Sequence, residues 1–434
     1  MKLLTDKEYL SVTIPFMLST MTQPLMGAVN TAVMGWLAEP KYIAAVSLGA
    51  ILFNNLYWLF GFLRVSTTGY AAQAYGAKDM RLGLLAFFKP LVLALIVSTL
   101  CIILQTPIVD AYIATISPAE DVAMLCRKYY YILIWGAPLV LFNYVSLGWL
   151  MGQTRIKASV FMQVSMNVLN MFLSIYFVFC LHLDIEGVAW ATLISQIYGA
   201  IIGLLFMICF GRFDMRHLPI NELIDWRTFV GMLKVNSNLM IRTACLLMVN
   251  NIIAAVGASL GTIYLAVNAV LIQIKDIISY LIDGMANGTA ILVGKAVGEH
   301  SEELLEESIK IALKWLAVFT VLSMGVYYFW DTFFISLFTD NESVKNLANE
   351  YKNFVLYYPL LAGVGILLYG AFCGATYTAP IRNMMLIALA LFYGTQFFLV
   401  PSLSNTGLWI AYMVFRISQS IILWIYLPRL RMLI

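Results

Sequence analysis

Residues 9–37 read YLSVTIPFMLSTMTQPLMGAVNTAVMGWL, a run without one Asp, Glu, Lys or Arg. A helix needs about 20 apolar residues to cross the hydrocarbon of a bilayer, so this run is long enough to span it with tilt or a bend. Asn30 and Thr31 stand in it where the surroundings call for hydrocarbon, and such groups need partners inside a bundle. Pro24 lies one and a half turns before Asn30, where loss of a backbone hydrogen bond makes a kink cheap, and Pro15 adds a second such point.

The rest of the chain repeats the pattern. Of its 434 residues 62% are hydrophobic and 11% charged, and the mean hydropathy is +0.86. That leaves too little polar surface for a soluble globule and defines an integral membrane protein. The net charge of +3 is dispersed, with no basic run interleaved with aromatics, so nucleic-acid binding is excluded. Six scattered cysteines show no metal-ligand spacing and read as small core hydrophobes. The first apolar run is too long for a cleavable signal peptide.

Segmentation at bilayer length gives twelve spans near residues 9–37, 42–65, 84–107, 129–151, 158–181, 186–210, 229–257, 262–290, 309–330, 352–373, 381–401 and 406–428. With the N-terminus in the cytoplasm, that side receives most Lys and Arg residues, Lys89 among them. Lys41, Arg127, Lys128, Lys345 and Lys352 remain for the other side. Both termini are therefore expected in the cytoplasm.

The two halves resemble each other. One register lays AQAYG (72–76) on GKAVG (294–298), Gly35 on Gly257, Gly152 on Gly374 and Thr154 on Thr376; a slip of two residues then lays Gly187 on Gly407. A duplicated six-span unit implies an N-terminal lobe at 1–210, a cytoplasmic linker at 211–228 and a C-terminal lobe at 229–434. Because six is even, the lobes enter the membrane alike, and a pseudo-two-fold axis along the membrane normal is expected, with alternating access about a site near the midplane. His182, His217 and His300 fall in separate loops and build no catalytic cluster. GTAILVGKA (288–296) has the wrong spacing for a phosphate-binding loop. An enzyme is not expected, nor a cofactor, nor a metal.

The run from Pro24 to Gly76, NVLNMFL with IEGVAWATLISQ in spans five and six, NSNLMIR opening span seven and LAVNAVL with YLIDGMA in span eight resemble the multidrug and toxic compound extrusion (MATE) family, in its DinF-like branch. The resemblance implies a cation-coupled antiporter that exports amphipathic organic compounds from the cytoplasmic membrane. In the branch pattern an acid stands at the position of Asn30 and another at that of Ser174, closing a motif whose first members Asn167 and Asn170 are present. Neither Asn nor Ser can load a proton, so proton coupling through this lobe does not carry over. Loss of both acids favours natural divergence over one engineered change.

Two acids remain inside spans, Asp276 and Asp283. Seven residues apart, they lie within about 20° on one helix face, which also presents Asn287. An intramembrane carboxylate reads first as functional, which makes both candidates for cation coupling. The bland reading makes Asp283 a static ion pair with Arg242 and lets Asp276 neutralise Lys275. Arg64 and Arg416 complete the intramembrane cations. Asn30, Thr31, Asn167, Asn170 and Ser174 form a neutral polar cluster, hydrogen-bonded between spans one and five or contacting substrate or Na⁺. Four cations against two acids lean toward anionic or neutral substrates. A lipid or lipid-linked precursor flippase is the alternative. The expected partners are a small organic substrate and the lipid bilayer, with the chain a monomer and the coupling ion, H⁺ or Na⁺, open.

Overall fold

The computed structural model describes residues 4–35, 40–211 and 225–433, and all regular structure among them is helical. Most of the expected linker, 212–224 with His217, lies outside the described residues. In chain order the helices are α1 Asp6–Thr20, α2 Thr22–Gly35, α3 Pro40–Phe60, α4 Phe62–Gly76, α5 Met80–Ile103, α6 Gln105–Ile116, α7 Glu120–Leu133, α8 Ala137–Gly152, α9 Ile156–Phe179 and α10 Asp184–Gly211. They continue with α11 Trp226–Leu260, α12 Thr262–Gly298, α13 Glu302–Phe338, α14 Glu342–Gly374 and α15 Ala379–Tyr426.

Ten helical runs among the described residues are long and apolar enough to cross a membrane. Two features bring the spans to twelve. The first span is divided at Met21 into α1 and α2, each too short to be counted alone. The last run contains two spans, separated where Ser404 leaves helical geometry at φ 50° and ψ −129°. Span two is the pair α3 and α4, and span four is α7 and α8 joined by a short 3-10 turn at Ile134–Gly136.

Local chemistry sets the helix ends. Thr5 and Glu8 form a capping box at the start of α1, Glu8 N donating to Thr5 Oγ1 at 3.2 Å and Thr5 N to Glu8 Oε2 at 2.9 Å. Asp79, Ser301 and Asn341 cap α5, α13 and α14 through their side-chain oxygens. The division of the first span follows from Pro24. A proline there cannot donate to the Thr20 carbonyl four residues back, and its ring crowds that oxygen.

Packing sorts the chain into two compact units, Met21–Leu233 and Met1–Thr20 together with Lys234–Ile434. Residues 4–20, which the duplication groups with the N-terminal lobe, thus pack among C-terminal helices. There α1 lies on α12 where Gly284 and Gly288 leave room for Met17 and Thr13. Tyr9 OH meets Thr289 Oγ1 at 3.2 Å, and Thr20 Oγ1 donates to the Tyr280 carbonyl at 2.9 Å.

A glycine pair recurs in both units. A Cβ on Gly152 of α8 would stand 2.6 Å from Thr68 O of α4, and Gly148 would collide with Arg64 O. At the equivalent positions of α14, Gly370 and Gly374 would run into the Ala286 and Ala290 carbonyls of α12. Small residues four apart let two membrane helices approach backbone to backbone, where close packing and not hydrophobicity holds them.

At the start of α1, Lys314 Nζ and Trp315 Nε1 donate to the Asp6 carboxylate at 2.7 and 2.9 Å. The Lys314 hydrogen bond first, and that of Trp315 next, hold the Asp6 carboxyl below its usual value of 3.8. A lowered native pKa contributes stability above the ordinary value and loses it as pH falls through the native one. The melting temperature of the detergent-solubilised chain is therefore expected to fall more steeply below pH 4 than that of Asp6→Asn, with the difference between them constant from pH 5 to 7. Parallel curves across the acid range would exclude this contribution.

Candidate functional site

In the unit Met21–Leu233 the polar residues of spans one and five are joined by hydrogen bonds. Asn30 Nδ2 donates to Asn170 Oδ1 at 3.0 Å, Asn170 Nδ2 to Thr192 Oγ1 at 3.0 Å, and Thr192 Oγ1 to the Val188 carbonyl at 2.9 Å. Asn167 Nδ2 donates to Thr22 Oγ1 at 2.7 Å. The network is neutral throughout and ends on a main-chain carbonyl, so it orders α2, α9 and α10 without a group that changes charge. Asn30 Oδ1 and Ser174 Oγ are buried with no hydrogen-bond partner among the described residues. The side chain of Thr31 lies outside what is described. Thr22 and Thr192 escaped the sequence reading, because a threonine in an apolar helix usually bonds its own i−4 carbonyl, as Thr192 also does.

Arg64 is half-buried on α4, within electrostatic reach of Tyr144 on α8. A further cation lies inside a span. Lys89, placed on the cytoplasmic side by the charge count, is 8% exposed within α5, and its Nζ donates to Thr228 Oγ1 at the start of α11. Its long stem buries along the helix while the ammonium reaches a polar partner at the end. The neighbouring Asp225 carboxyl is held below its ordinary value, chiefly by the hydrogen bond from Thr228.

The other unit is charged. Lys275, 4% exposed, sits on α12 with Nζ 2.8 Å from Asp276 Oδ1 and 3.0 Å from the Tyr412 hydroxyl of α15. Arg416, one turn beyond Tyr412, donates to the same hydroxyl through Nε at 3.0 Å and Nη2 at 2.8 Å, and through Nη1 to Gln419 Oε1 at 3.3 Å. Tyr358 of α14 stacks on Tyr412 with ring centres 6.4 Å apart and planes 3° from parallel, its hydroxyl fixed by Ser279 at 2.6 Å. Both cations lie over these rings, Lys275 at 5.6 and 5.2 Å and Arg416 at 5.6 and 5.1 Å from the centres of Tyr358 and Tyr412.

Asp283 is half-buried two turns further along α12. Arg242, named as its ion-pair partner, lies with its guanidinium carbon 3.6 Å from the centre of the Tyr369 ring, and Asp283 is within electrostatic reach of that same tyrosine. The two groups thus share a neighbour. Tyr358 and Tyr412 were missed as hubs. Their one sequence signal is that Tyr412, Arg416 and Gln419 fall on one helix face.

The duplication register that lays AQAYG on GKAVG puts Phe53 opposite Lys275. Phe53 stacks on Tyr130 at 5.2 Å inside an apolar cluster. The slipped register sets Thr192 opposite Tyr412 and Gln196 opposite Arg416. Related scaffolds therefore hold a neutral amide–hydroxyl relay in one unit and a cation–tyrosine cluster in the other.

A chain of this build, twelve apolar spans from a duplicated six-span unit with polar side chains buried inside each half, is a multi-pass membrane transporter. The MatE family model matches residues 15–176 and 239–394, and the chain belongs to that family. It is 34% identical over 415 residues to DNA damage-inducible protein F of Escherichia coli, covering 95% of this chain and 89% of that protein. It is 23% identical to multidrug export protein MepA of Staphylococcus haemolyticus, over 84% of this chain and 80% of that one. A solved structure, described as an outward-facing multidrug resistance MATE family transporter of the MOP superfamily, superposes with a TM-score of 0.89 at 21% identity, covering 99% and 96% of the two chains.

Proposed function

We propose that the chain is a secondary antiporter that exports amphipathic organic compounds by alternating access. It draws on an H⁺ or Na⁺ gradient through the carboxylates of α12. The observation that carries this is the distribution of ionisable groups. Asn30, Asn167, Asn170 and Ser174 are all neutral, while Asp276 and Asp283 share a face of α12, Asp276 beside Lys275 and Asp283 with Tyr369 as a neighbour in common with Arg242. An intramembrane carboxylate is costly and tends to mark an ion pathway. Family membership and the export names of relatives support the transport reading. Bending of the first span about Met21 and Pro24 gates the pathway, and the protein acts as a monomer in the cytoplasmic membrane with both termini inside.

The test is dye efflux from proteoliposomes energised in turn by a proton and by a sodium gradient, with Asp283→Asn and Asp276→Asn alongside. Efflux under one gradient, reduced at least tenfold in Asp283→Asn with dye binding intact, is expected. Efflux that persists at the wild-type rate in both variants would remove coupling from α12.

A further inference from the structure

The turn GQTRIK (152–157) between α8 and α9 is held by its own backbone. Gln153 N donates to the Trp149 carbonyl at 2.8 Å, Thr154 N to that of Met151 at 3.0 Å and Arg155 N to that of Leu150 at 2.9 Å. Gln153 Nε2 adds a bond to the Ala71 carbonyl of α4 at 3.0 Å. The exposed Arg155 therefore projects from a fixed point, and its guanidinium carbon stands 4.9 Å from the centre of the Phe210 ring at the end of α10.

From Phe210 an aromatic stair descends along α10 and α9. Phe210 and Phe206 have ring centres 5.7 Å apart, and Phe206 meets Phe161 of α9 edge-on at 6.1 Å. Phe161 is 52% exposed and Phe210 37%. Exposed apolar rings on a membrane span face lipid, and the four residues from Phe210 back to Phe206 rise about 6 Å, so the stair leads from the level of Arg155 into hydrocarbon.

The cation at its top is uncommitted. A guanidinium presents five N–H donors in a planar fork that matches phosphate oxygens. Among the described residues no side chain or carbonyl accepts from that of Arg155, and no acid pairs with it. The charge count puts this turn on the cytoplasmic side, where the leaflet carries anionic lipid.

We infer that Arg155 and the stair of Phe161, Phe206 and Phe210 bind one anionic phospholipid, its phosphate on the guanidinium and an acyl chain along the rings. The inference goes beyond transport and takes from the reading above only the side of the membrane on which the turn lies. A zwitterionic lipid offers the same phosphate but brings a quaternary ammonium toward a like charge, so phosphatidylglycerol is favoured over phosphatidylcholine. Lys157 is exposed in the same turn and makes no ring contact among the described residues, which makes it the control for charge alone.

The test is native mass spectrometry of the full-length chain in neutral detergent, titrated with dioctanoyl phosphatidylglycerol and separately with dioctanoyl phosphatidylcholine. One phosphatidylglycerol is expected to bind ahead of any others. Arg155→Gln weakens it about tenfold, the loss of charged hydrogen bonding, and leaves phosphatidylcholine unchanged. Phe210→Leu keeps an apolar surface and weakens it about threefold, the cation–π share at an exposed position. Lys157→Gln removes the same charge and stays within about twofold of wild type, as a screened surface charge does. Melting temperatures within a few degrees of wild type certify each fold. Equal losses in Arg155→Gln and Lys157→Gln reduce the effect to diffuse charge and overturn the site, as does equal affinity for the two lipids. Displacement of phosphatidylglycerol by millimolar inorganic phosphate makes this a free-anion site and overturns the lipid assignment. Binding is read here without a gradient. Lost selectivity beside intact efflux therefore leaves the antiporter reading standing, and selective binding without efflux sinks only that reading.

Discussion

Gly374→Val is expected to lower the melting temperature of the C-terminal unit markedly. A Cβ at this position falls on the Ala290 carbonyl of α12, and its neighbour in the pair, Gly370, faces the Ala286 carbonyl in the same way. The obstacle is backbone, which cannot rotate aside as a side chain can, so α12 and α14 must separate. Overpacking in a core costs about 1–3 kcal/mol, occasionally more, and backbone collision belongs at the upper end. For a unit of this size that corresponds to a melting-temperature loss of roughly 6–12 °C, read by fluorescence-detected size exclusion after heating. The control is Gly325→Ala or Gly394→Ala, where nothing lies within 4 Å of the added Cβ. These changes are expected to be neutral or to stabilise slightly, since alanine restricts the unfolded chain more than glycine does. A melting temperature for Gly374→Val equal to that of the controls would show that the helices are not held this close.

Asn268→Leu is expected to have a comparable effect by another route. Asn268 and Asn405, 1% and 0% exposed, exchange hydrogen bonds at 2.7 and 3.0 Å, and Trp409 Nε1 adds a third to Asn268 Oδ1 at 2.9 Å. Removing Asn268 leaves the Asn405 amide and the Trp409 N–H buried without partners. Each orphaned group costs about 1–3 kcal/mol. The double variant Asn268→Leu/Asn405→Leu no longer strands an amide and is expected to regain part of the lost stability, leaving only the Trp409 N–H unmatched. Strict additivity of the two single losses in a double-mutant cycle would contradict the pairing.

Much of the architecture is legible in residue order. Residues 9–37 announce a span by length and by freedom from charge, and the duplication appears in matched glycines whose purpose, the close approach of α8 to α4 and of α14 to α12, is visible in the structure. The break of the first span is also readable, although it falls at Met21 and not at Pro24 itself, because a proline disturbs the carbonyl four residues before it. Less legible is Lys89. A charge count places a lysine by its nearest loop, whereas its four-carbon stem lets it sit inside α5 and still reach Thr228.

The sequence by itself determined the membrane class, the twelve spans, the six-plus-six repeat and the neutrality of the Asn30 and Ser174 positions, since these depend on composition, on periodicity and on which side chains can titrate. Tertiary structure alone decided the partners. Lys275 meets Tyr412 across 137 positions, Asn30 meets Asn170 across 140, and Arg242 lies over Tyr369. A tyrosine in an apolar run looks the same in sequence whether it faces lipid or receives two cations. Only helix packing selects between these, because the contacts depend on rotation and depth of each helix against neighbours far away in the chain.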